Sequence, residues 1–448
     1  MKTLFINPHE YNYNGLHHCH TYPTELYNWA TEDKANGNDA YMFDMNPEGS
    51  ASMTDEKLSK DGVTLVECTG MKKKCGNYEN EKLVKSVLRV GLPIEMLEDK
   101  LKSMPYDKIV ICAQGSKTCI TSTSWRYVFK GVCEVIDLCK KIQKDTEIVL
   151  IGEYAKMCPE VAKECGTDIA MTKPSADKHF INTDISLFDS NQIPRRINIA
   201  TSYGCSNECT FCSIPIVEGS IRIEKPVEDV LNYMKYLSDN GITRLRFLDS
   251  NLLFNYKNHL KLILEGIVKN KWNFDLSSYG GIEPKLLTEP IAKAMVEAGF
   301  KTINVPLDNT DQSILDKFGR KKDRESWIKA ADIAVKYFES VRSYQMIGFP
   351  DQTYENAMES VLECESRGIV PALCPFSPLP STIFEDKSME PEDVHCLLFP
   401  YASPEFTVRQ MEEVIIRCND WYTKSAVDVD ADKAGSKIYK SSQPIIKK

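Results

Sequence analysis

Short apolar runs alternate with longer amphipathic stretches along most of this chain, and that alternation constrains the fold more than any other feature. Strands recurring between helical segments make a parallel sheet covered by helices. In the first segment Thr3 to Ile6 reads as a strand, Thr24 to Ala35 as a helix ending at Asn36-Gly37, and Ala40 to Phe43 as a second strand stopping at Asp44. A β-branched run from Lys108 to Ala113 ends at Gly115. A helix from about Trp125 to Gln143, a strand from Glu147 to Ile151 closed by Gly152, and a helix near Pro159 to Cys165 follow. The pattern predicts a doubly wound, Rossmann-like α/β domain of four or five strands over residues 1–171. Met45 to Pro105, polar at first and carrying Met71-Lys72-Lys73-Lys74, reads as an insertion or long crossover.

Residues 172–194 lose the pattern and contain two prolines, as a linker would. From Arg196 the alternation resumes. Strands Ile197 to Ala200, Arg244 to Leu248, Phe274 to Ser277, Thr302 to Pro306 and Val341 to Ile347 interleave with helices Pro226 to Asn240, His259 to Lys269, Leu286 to Ala298, Trp327 to Tyr337 and Glu355 to Arg367. About six β/α units predict a partial TIM barrel over residues 195–385, with its chemistry at the carboxyl ends of the strands. Residues 386–448 are less regular, with Pro391, Pro400, Pro404 and a helix near Val408 to Thr423. They are expected to form a C-terminal region that caps the barrel and selects the substrate.

Charged residues make up 27% of the chain and the net charge is -9, which disfavours a bulk grip on nucleic acid or on an anionic membrane. No run approaches the roughly 20 apolar residues of a membrane span, and Met1 to Asn7 lacks a signal-peptide layout. A soluble, cytoplasmic protein is expected. The sixteen cysteines are scattered through a long chain, unlike a secreted disulfide scaffold, so reduced thiols in a reducing compartment are expected.

Only one group of cysteines is tightly spaced: Cys205, Cys209 and Cys212, in Tyr203-Gly204-Cys205-Ser206-Asn207-Glu208-Cys209-Thr210-Phe211-Cys212, just after a predicted strand. Three thiolates in so short a loop reach three corners of one [4Fe–4S] cubane and leave the fourth iron open. An open iron can chelate S-adenosylmethionine (SAM), pass an electron to its sulfonium and release a 5′-deoxyadenosyl radical, which the protein must shield and aim. A structural zinc is the competing reading, but zinc usually takes four ligands from two paired knuckles, and no second C-x2-C or H-x3-H pair is present.

The spacing C-x3-C-x-aromatic-C, with Phe211 as the aromatic residue, resembles the radical SAM superfamily. The resemblance extends to Arg195 and Arg196, Phe247-Leu248-Asp249-Ser250-Asn251, Ile347-Gly348-Phe349-Pro350, and Pro375-Phe376-Ser377-Pro378-Leu379-Pro380-Ser381-Thr382. It implies that Phe211, Asp249, Asn251 and Asp308 lie against SAM. Val305-Pro306-Leu307-Asp308-Asn309 departs from the glycine-rich, glutamate-bearing pattern usual in the family, so a turn or capping role for Asp308 stays open.

A doubly wound domain ahead of the cysteine triad resembles the cobalamin-binding class of that superfamily, through Leu4 to Pro8, Gly37 to Asn46, Pro105 to Gly115 and Glu147 to Gly152. The resemblance implies a corrinoid near Asn7, His9, Gly115 and Gly152. Classical modules ligate cobalt with the histidine of D-x-H-x-x-G, whereas this chain reads Asn7-Pro8-His9-Glu10-Tyr11-Asn12. Without the aspartate the usual support of a ligating imidazole is missing, so His9 reads either as a ligand or as a hydrogen-bonded loop residue. His17-His18-Cys19-His20 reads as a polar loop or cavity lining.

The resemblance implies a methyltransferase that methylates an unactivated carbon using SAM, the cluster and methylcobalamin, on a small-molecule, lipid or peptide substrate. An electron donor such as flavodoxin or ferredoxin would serve it. Three alternatives stand beside it: a cobalamin-dependent cyclase, ring-contraction or C–C bond-forming enzyme; a methylthiotransferase, with Cys19, Cys68, Cys112, Cys119 and Cys158 as candidate thiols for a second cluster; and a cofactor-binding sensor or scaffold. Tyr279, Tyr344, Cys374 and His395 are candidates for the barrel mouth.

Overall fold

The structure, a computed structural model, describes residues 1–13, 22–45, 63–67, 84–114, 125–189, 193–194, 196–278, 280–320, 323–389, 401 and 403–424. Gly115, Arg195, Tyr279, His395 and the His17 to His20 run lie outside the described residues. The chain folds as two compact units. One is built on Met1–Pro194 and the segment starting at Ser377, the other on Arg195–Phe376 and the segment starting at Tyr401.

In the first unit, strands β1 (Lys2–Asn7), β3 (Asp39–Asp44), β6 (Lys108–Cys112), β7 (Glu147–Ile151) and β8 (Ile169–Ala170) form a parallel sheet in the order β3-β1-β6-β7-β8. Counted along the sheet this is 2-1-3-4-5, the flavodoxin-like form of the doubly wound plan. Its strand order reverses between β1 and β6, the place where open α/β sheets take ligands. The strands are continuous apolar runs because helices cover both faces. Leu4, Ile6, Ile109, Ile111, Ile148 and Leu150 are fully buried, and Phe5, Val110, Cys112, Val149 and Ile151 pack with Leu26 and Ala30 of helix α1 (Thr24–Ala35). Each such aliphatic side chain contributes roughly 1.5–3 kcal/mol.

The segment read as an insertion holds regular structure. Strands β4 (Val63–Glu67) and β5 (Val84–Val90) join β2 (Glu10–Tyr13) in an antiparallel sheet, and helix α2 (Ile94–Ser103) packs on helix α3 (Trp125–Ile142) through buried Leu97 and Leu101. The single helix expected near Pro159 to Cys165 is two, Glu153–Met157 and Pro159–Glu164, with Pro159 opening the second where its missing N–H costs nothing.

Within the expected linker, residues 178–188 pack on α1. Asn28 of α1 donates to the carbonyls of Lys178 and His179, Thr183 donates to Asn28 at 3.0 Å, Lys34 pairs with Asp184 at 2.6 Å, and Tyr27 stacks on Phe188 with ring centroids 4.4 Å apart. The segment is polar because its partners are polar groups of a helix, and a pattern search for apolar periodicity misses that kind of packing.

In the second unit, β9 (Ile197–Ile199), β12 (Arg244–Phe247), β13 (Asp275–Ser278), β14 (Phe300–Asn304), β15 (Ser340–Ile347) and β16 (Val370–Pro375) form a six-stranded parallel sheet in sequential order. Helices α4 (Val227–Asp239), α5 (Leu260–Lys269), α6 (Glu289–Glu297), α7 (Arg324–Tyr337) and α8 (Tyr354–Ser366) fill the crossovers. A two-stranded hairpin, β10 (Ser202–Tyr203) with β11 (Ile223–Glu224), follows β9. Strand β16 carries Pro371 and Pro375, which obscure it in the sequence; both are tolerated because β16 is an edge strand.

The C-terminal region expected over residues 386–448 is divided. From Ser377 the chain joins the first unit, whereas from Tyr401 it joins the second. There helix α9 (Val408–Lys424) lies along α8 and β16, with Phe406 on Tyr354, Met411 against Gly348 and Arg417 paired to Glu365 at 2.7 Å. The described part of the tail covers a sheet edge, which otherwise exposes unpaired backbone groups. Among the described residues no helix is long and apolar enough to cross a membrane.

Candidate functional site

The cysteine loop grows from the first strand of the second unit. Gly204 turns the chain at φ 77°, and a Cβ there would meet the Ile221 carbonyl oxygen at 2.3 Å, so only glycine lets the loop pass this close to the hairpin. The backbone is then tied at each step. Cys205 N–H donates to Gly219 at 3.2 Å, Thr210 N–H to Phe318 at 3.2 Å, and Cys212 N–H to Cys209 at 3.2 Å. The side chain of Glu218 accepts from Gly204 N–H at 3.2 Å and from Ser250 at 3.1 Å.

Each sulfur has a donor beside it. The Asn207 N–H serves Cys205, the Ile214 N–H serves Cys212, and Nη1 of Arg320 donates to Cys209 at 2.9 Å. Burial raises the Cys205 thiol and pushes the Cys212 thiol up to about 12, as expected of thiols that lose their protons only to a metal. Among the described residues no group of His, Cys, Asp and Glu side chains is gathered around a single ion. Three thiols on one loop, near enough to feel one another's charge and each met by an N–H, suit an iron–sulfur cubane, whose ligands sit at separate corners.

Arg320 is the site residue that the sequence did not disclose. It is largely but not fully buried, donates through Nε to Asp308 at 2.6 Å, forms a second, short contact to the same carboxylate through Nη2, and lies 5.3 Å from the centroid of the Phe211 ring. Burial opposes its charge, but Asp308 and the Cys209 sulfur outweigh burial and hold the guanidinium above its ordinary value. Gly319 lets this arm close on the loop: a Cβ there would meet the Glu208 carbonyl at 2.8 Å. No linear motif links Arg320 to a cysteine 111 residues earlier.

Phe211 contacts Phe318 and Phe349, which stack at 4.2 Å, and Phe376 lies 5.1 Å from Phe349, so the signature aromatic belongs to an apolar wall beside the cysteines. Asp249, expected against SAM, accepts instead from Thr201 Oγ1 at 2.7 Å and, in a short contact, from the Ser202 hydroxyl, fastening the hairpin to β12. Asn251 links two strand ends, accepting from Glu283 N–H at 3.1 Å through its side chain and from Arg222 at 2.9 Å through its carbonyl. Asp308 has a left-handed φ of 68°, and its backbone N–H and carbonyl bond β15 at Tyr344 and Met346 while its carboxylate holds Arg320. Asn251 thus stands at the strand ends, whereas Asp249 and Asp308 spend their carboxylates on protein partners.

In the first unit, Asn7 closes β1 by donating to Asp44 at 2.6 Å across to β3. Gly152 at φ 111° ends β7, and a Cβ there would meet the Ala113 carbonyl at 2.5 Å, so glycine is required for the close approach of β7 to β6. His9 is buried and its Nε2 lies 2.8 Å from Glu134 of α3. Tyr11 donates to the same carboxylate at 2.9 Å, and Lys130 pairs with it at 2.5 Å. This geometry favours the hydrogen-bonded reading of His9. The Tyr344 hydroxyl accepts from Asn304 Nδ2 at 3.3 Å within the barrel unit, and Cys374 sits on edge strand β16.

With the geometry in place, the comparisons with known proteins point the same way. Residues 199–364 match the profile of the Radical SAM superfamily, and the second unit is a radical SAM domain. Among curated proteins, an uncharacterized methyltransferase of Pyrococcus horikoshii is 28% identical over 36% of this chain and 35% of its own length. The ribosomal protein uS12 methylthiotransferase RimO of Petrotoga mobilis is 27% identical over 35% of this chain and 38% of its own. The chain thus spans little more than a third of these relatives. Among solved structures, the radical S-adenosylmethionine methyltransferase TsrM from Kitasatospora setae, with cobalamin and a [4Fe–4S] cluster bound, superposes with a TM-score of 0.62 at 14% identity, over 86% of this chain and 76% of that one. At that identity the likeness is one of fold.

Proposed function

We propose that this chain is a cobalamin-dependent radical SAM enzyme acting as a methyltransferase on a carbon centre. The observation that carries the reading is the cysteine loop at the carboxyl end of the first strand of a six-stranded parallel barrel sheet, with an N–H donor at each sulfur. Support for a corrinoid comes from the 2-1-3-4-5 sheet, whose switch point lies between β1 and β6, and from the fold likeness to a protein solved with cobalamin and a cluster.

With the cluster and SAM bound, the site supplies one-electron cleavage of the sulfonium, and a bound corrinoid supplies a transferable methyl group. The chain's own residues do the rest. Cys205, Cys209 and Cys212 would hold the cluster; Phe211, Phe318 and Phe349 would keep water from its flank; Asn251 with Arg222 would offer SAM polar groups at the strand ends. Asp249 positions the hairpin, and Asn7 and Gly152 shape the corrinoid's crevice. His9, held by Glu134, would serve as a hydrogen-bonded residue and not as a ligand of the corrinoid. The substrate is a small molecule, lipid or peptide, and the electron comes from a flavodoxin- or ferredoxin-like donor.

Anaerobic reconstitution with iron, sulfide and hydroxocobalamin tests this, read by metal counts, absorption and release of 5′-deoxyadenosine from SAM. About four irons and about one cobalt per chain are expected, as one cubane and one corrinoid require. Four irons without cobalt would remove the corrinoid. The similarity to a methylthiotransferase favours a second reading, sulfur insertion, which predicts about eight irons from two cubanes and no cobalt.

A further inference from the structure

We propose that the largely buried Arg320–Asp308 pair is an electrostatic governor of the cluster, in which the guanidinium, bonded to the Cys209 sulfur, favours the reduced state and the carboxylate limits that effect. The inference rests on the reading that Cys209 is a cluster ligand. Of the three donors that meet the sulfurs, two are neutral backbone N–H groups and the third, Arg320, carries a full charge. Guanidinium does not titrate in proteins, so this charge is fixed. Hydrogen bonds to ligating sulfur and nearby positive charge both stabilise the electron-rich cluster and raise its reduction potential.

The geometry is built to hold that charge at one sulfur. Two nitrogens of Arg320 grip Asp308, the third points at Cys209, and the plane lies against Phe211. Asp308 is itself immobilised by backbone bonds of 2.9 and 2.8 Å to Tyr344 and Met346. A carboxylate that neutralises the guanidinium must act in the opposite direction on the cluster. Arg320 and Asp308 are therefore positioning residues with opposed effects on one observable, and this opposition separates tuning from mere support of the loop.

The test is potentiometric titration of the full-length, cluster-reconstituted protein, followed by EPR of the reduced cluster, first without SAM and then with it. Arg320→Gln is expected to lower the potential, reducing the reduced-to-oxidised ratio at fixed poise about tenfold, which is ~59 mV for one electron. Arg320→Lys is expected to recover part of that shift. Asp308→Asn, which tolerates the left-handed backbone, is expected to move the potential upward. Should Arg320→Gln fail to hold iron, the upward shift in Asp308→Asn still decides. Unchanged potentials, or shifts of the same sign in both variants, would overturn the proposal. So would a shift seen only with SAM present, because it would assign Arg320 to the co-substrate. Wild-type protein that takes up no cubane would instead defeat the parent reading of the cysteines.

Discussion

Each unit opens with a strand whose following loop carries reactive side chains, and the two loops treat them in opposite ways. After β1, Nε2 of His9 and the Tyr11 hydroxyl are taken by one carboxylate, Glu134, which Lys130 also engages. After β9, Thr201 and Ser202 are fastened through their hydroxyls to Asp249, but in the cysteine loop itself Gly204, Cys205, Thr210 and Cys212 are anchored through their backbone N–H groups. The first loop has turned its chemistry into structure, whereas the second is held so that three sulfurs remain for a ligand. Reactive residue types at a strand end are therefore a weak guide until their partners are known.

The largest expected effect separates the loops by metal. Replacing Cys209 with serine should drop reconstituted iron from about four per chain to a small residue and abolish 5′-deoxyadenosine release, with the far-ultraviolet dichroism unchanged. Iron retained at the wild-type level would break the comparison. Next come the two glycines that each loop's neighbourhood requires. Gly204→Ala should reduce cluster uptake, and Gly152→Ala should lower the melting temperature with iron uptake intact, each by strain of about 1–3 kcal/mol. Equal iron loss in both would show that the two sites are not independent.

His9→Leu should cost about 1–3 kcal/mol of stability, because it removes a bond to a charged partner. EPR of the reduced cobalamin-loaded wild type should show no nitrogen splitting from a protein imidazole; such splitting, lost in the variant, would put His9 on cobalt. The smallest effect is in pH. Burial works against the charge of Glu134, yet hydrogen bonds from His9, Lys130 and Tyr11 prevail and hold its carboxyl at about 2, below the ordinary 4.5. A depressed carboxyl stabilises the fold fully above its unfolded value and loses that contribution as pH falls from about 4.5 toward 2. Glu134 is one-third exposed, so solvent weakens the effect. Thermal unfolding of the metal-free chain between about pH 5 and 2.5 should therefore be modestly less steep in Glu134→Gln. An unchanged slope would remove Glu134 from the acid response.

Much of the fold was legible because burial on both faces writes long apolar runs into parallel strands, as in Lys108–Cys112 and Glu147–Ile151. Strand β16 was hidden by Pro371 and Pro375, and residues 172–194 by polarity that proved to be packing on Asn28 and Lys34. The cysteine triad was readable because a cubane needs its thiols close in sequence only when one loop supplies them all. Arg320 was not, since its tie to Cys209 spans the sheet connection between them.

The sequence by itself determined the two α/β segments and the place of the cysteine loop after a strand, because each follows from local periodicity. Only the tertiary structure decided that His9 faces Glu134, that Asp249 fastens a hairpin, and that Arg320 and Asp308 stand over Cys209. Those are pairings of polar groups far apart in the chain, and a hydrogen bond chooses its partner by distance and direction in space, which no spacing along the chain records.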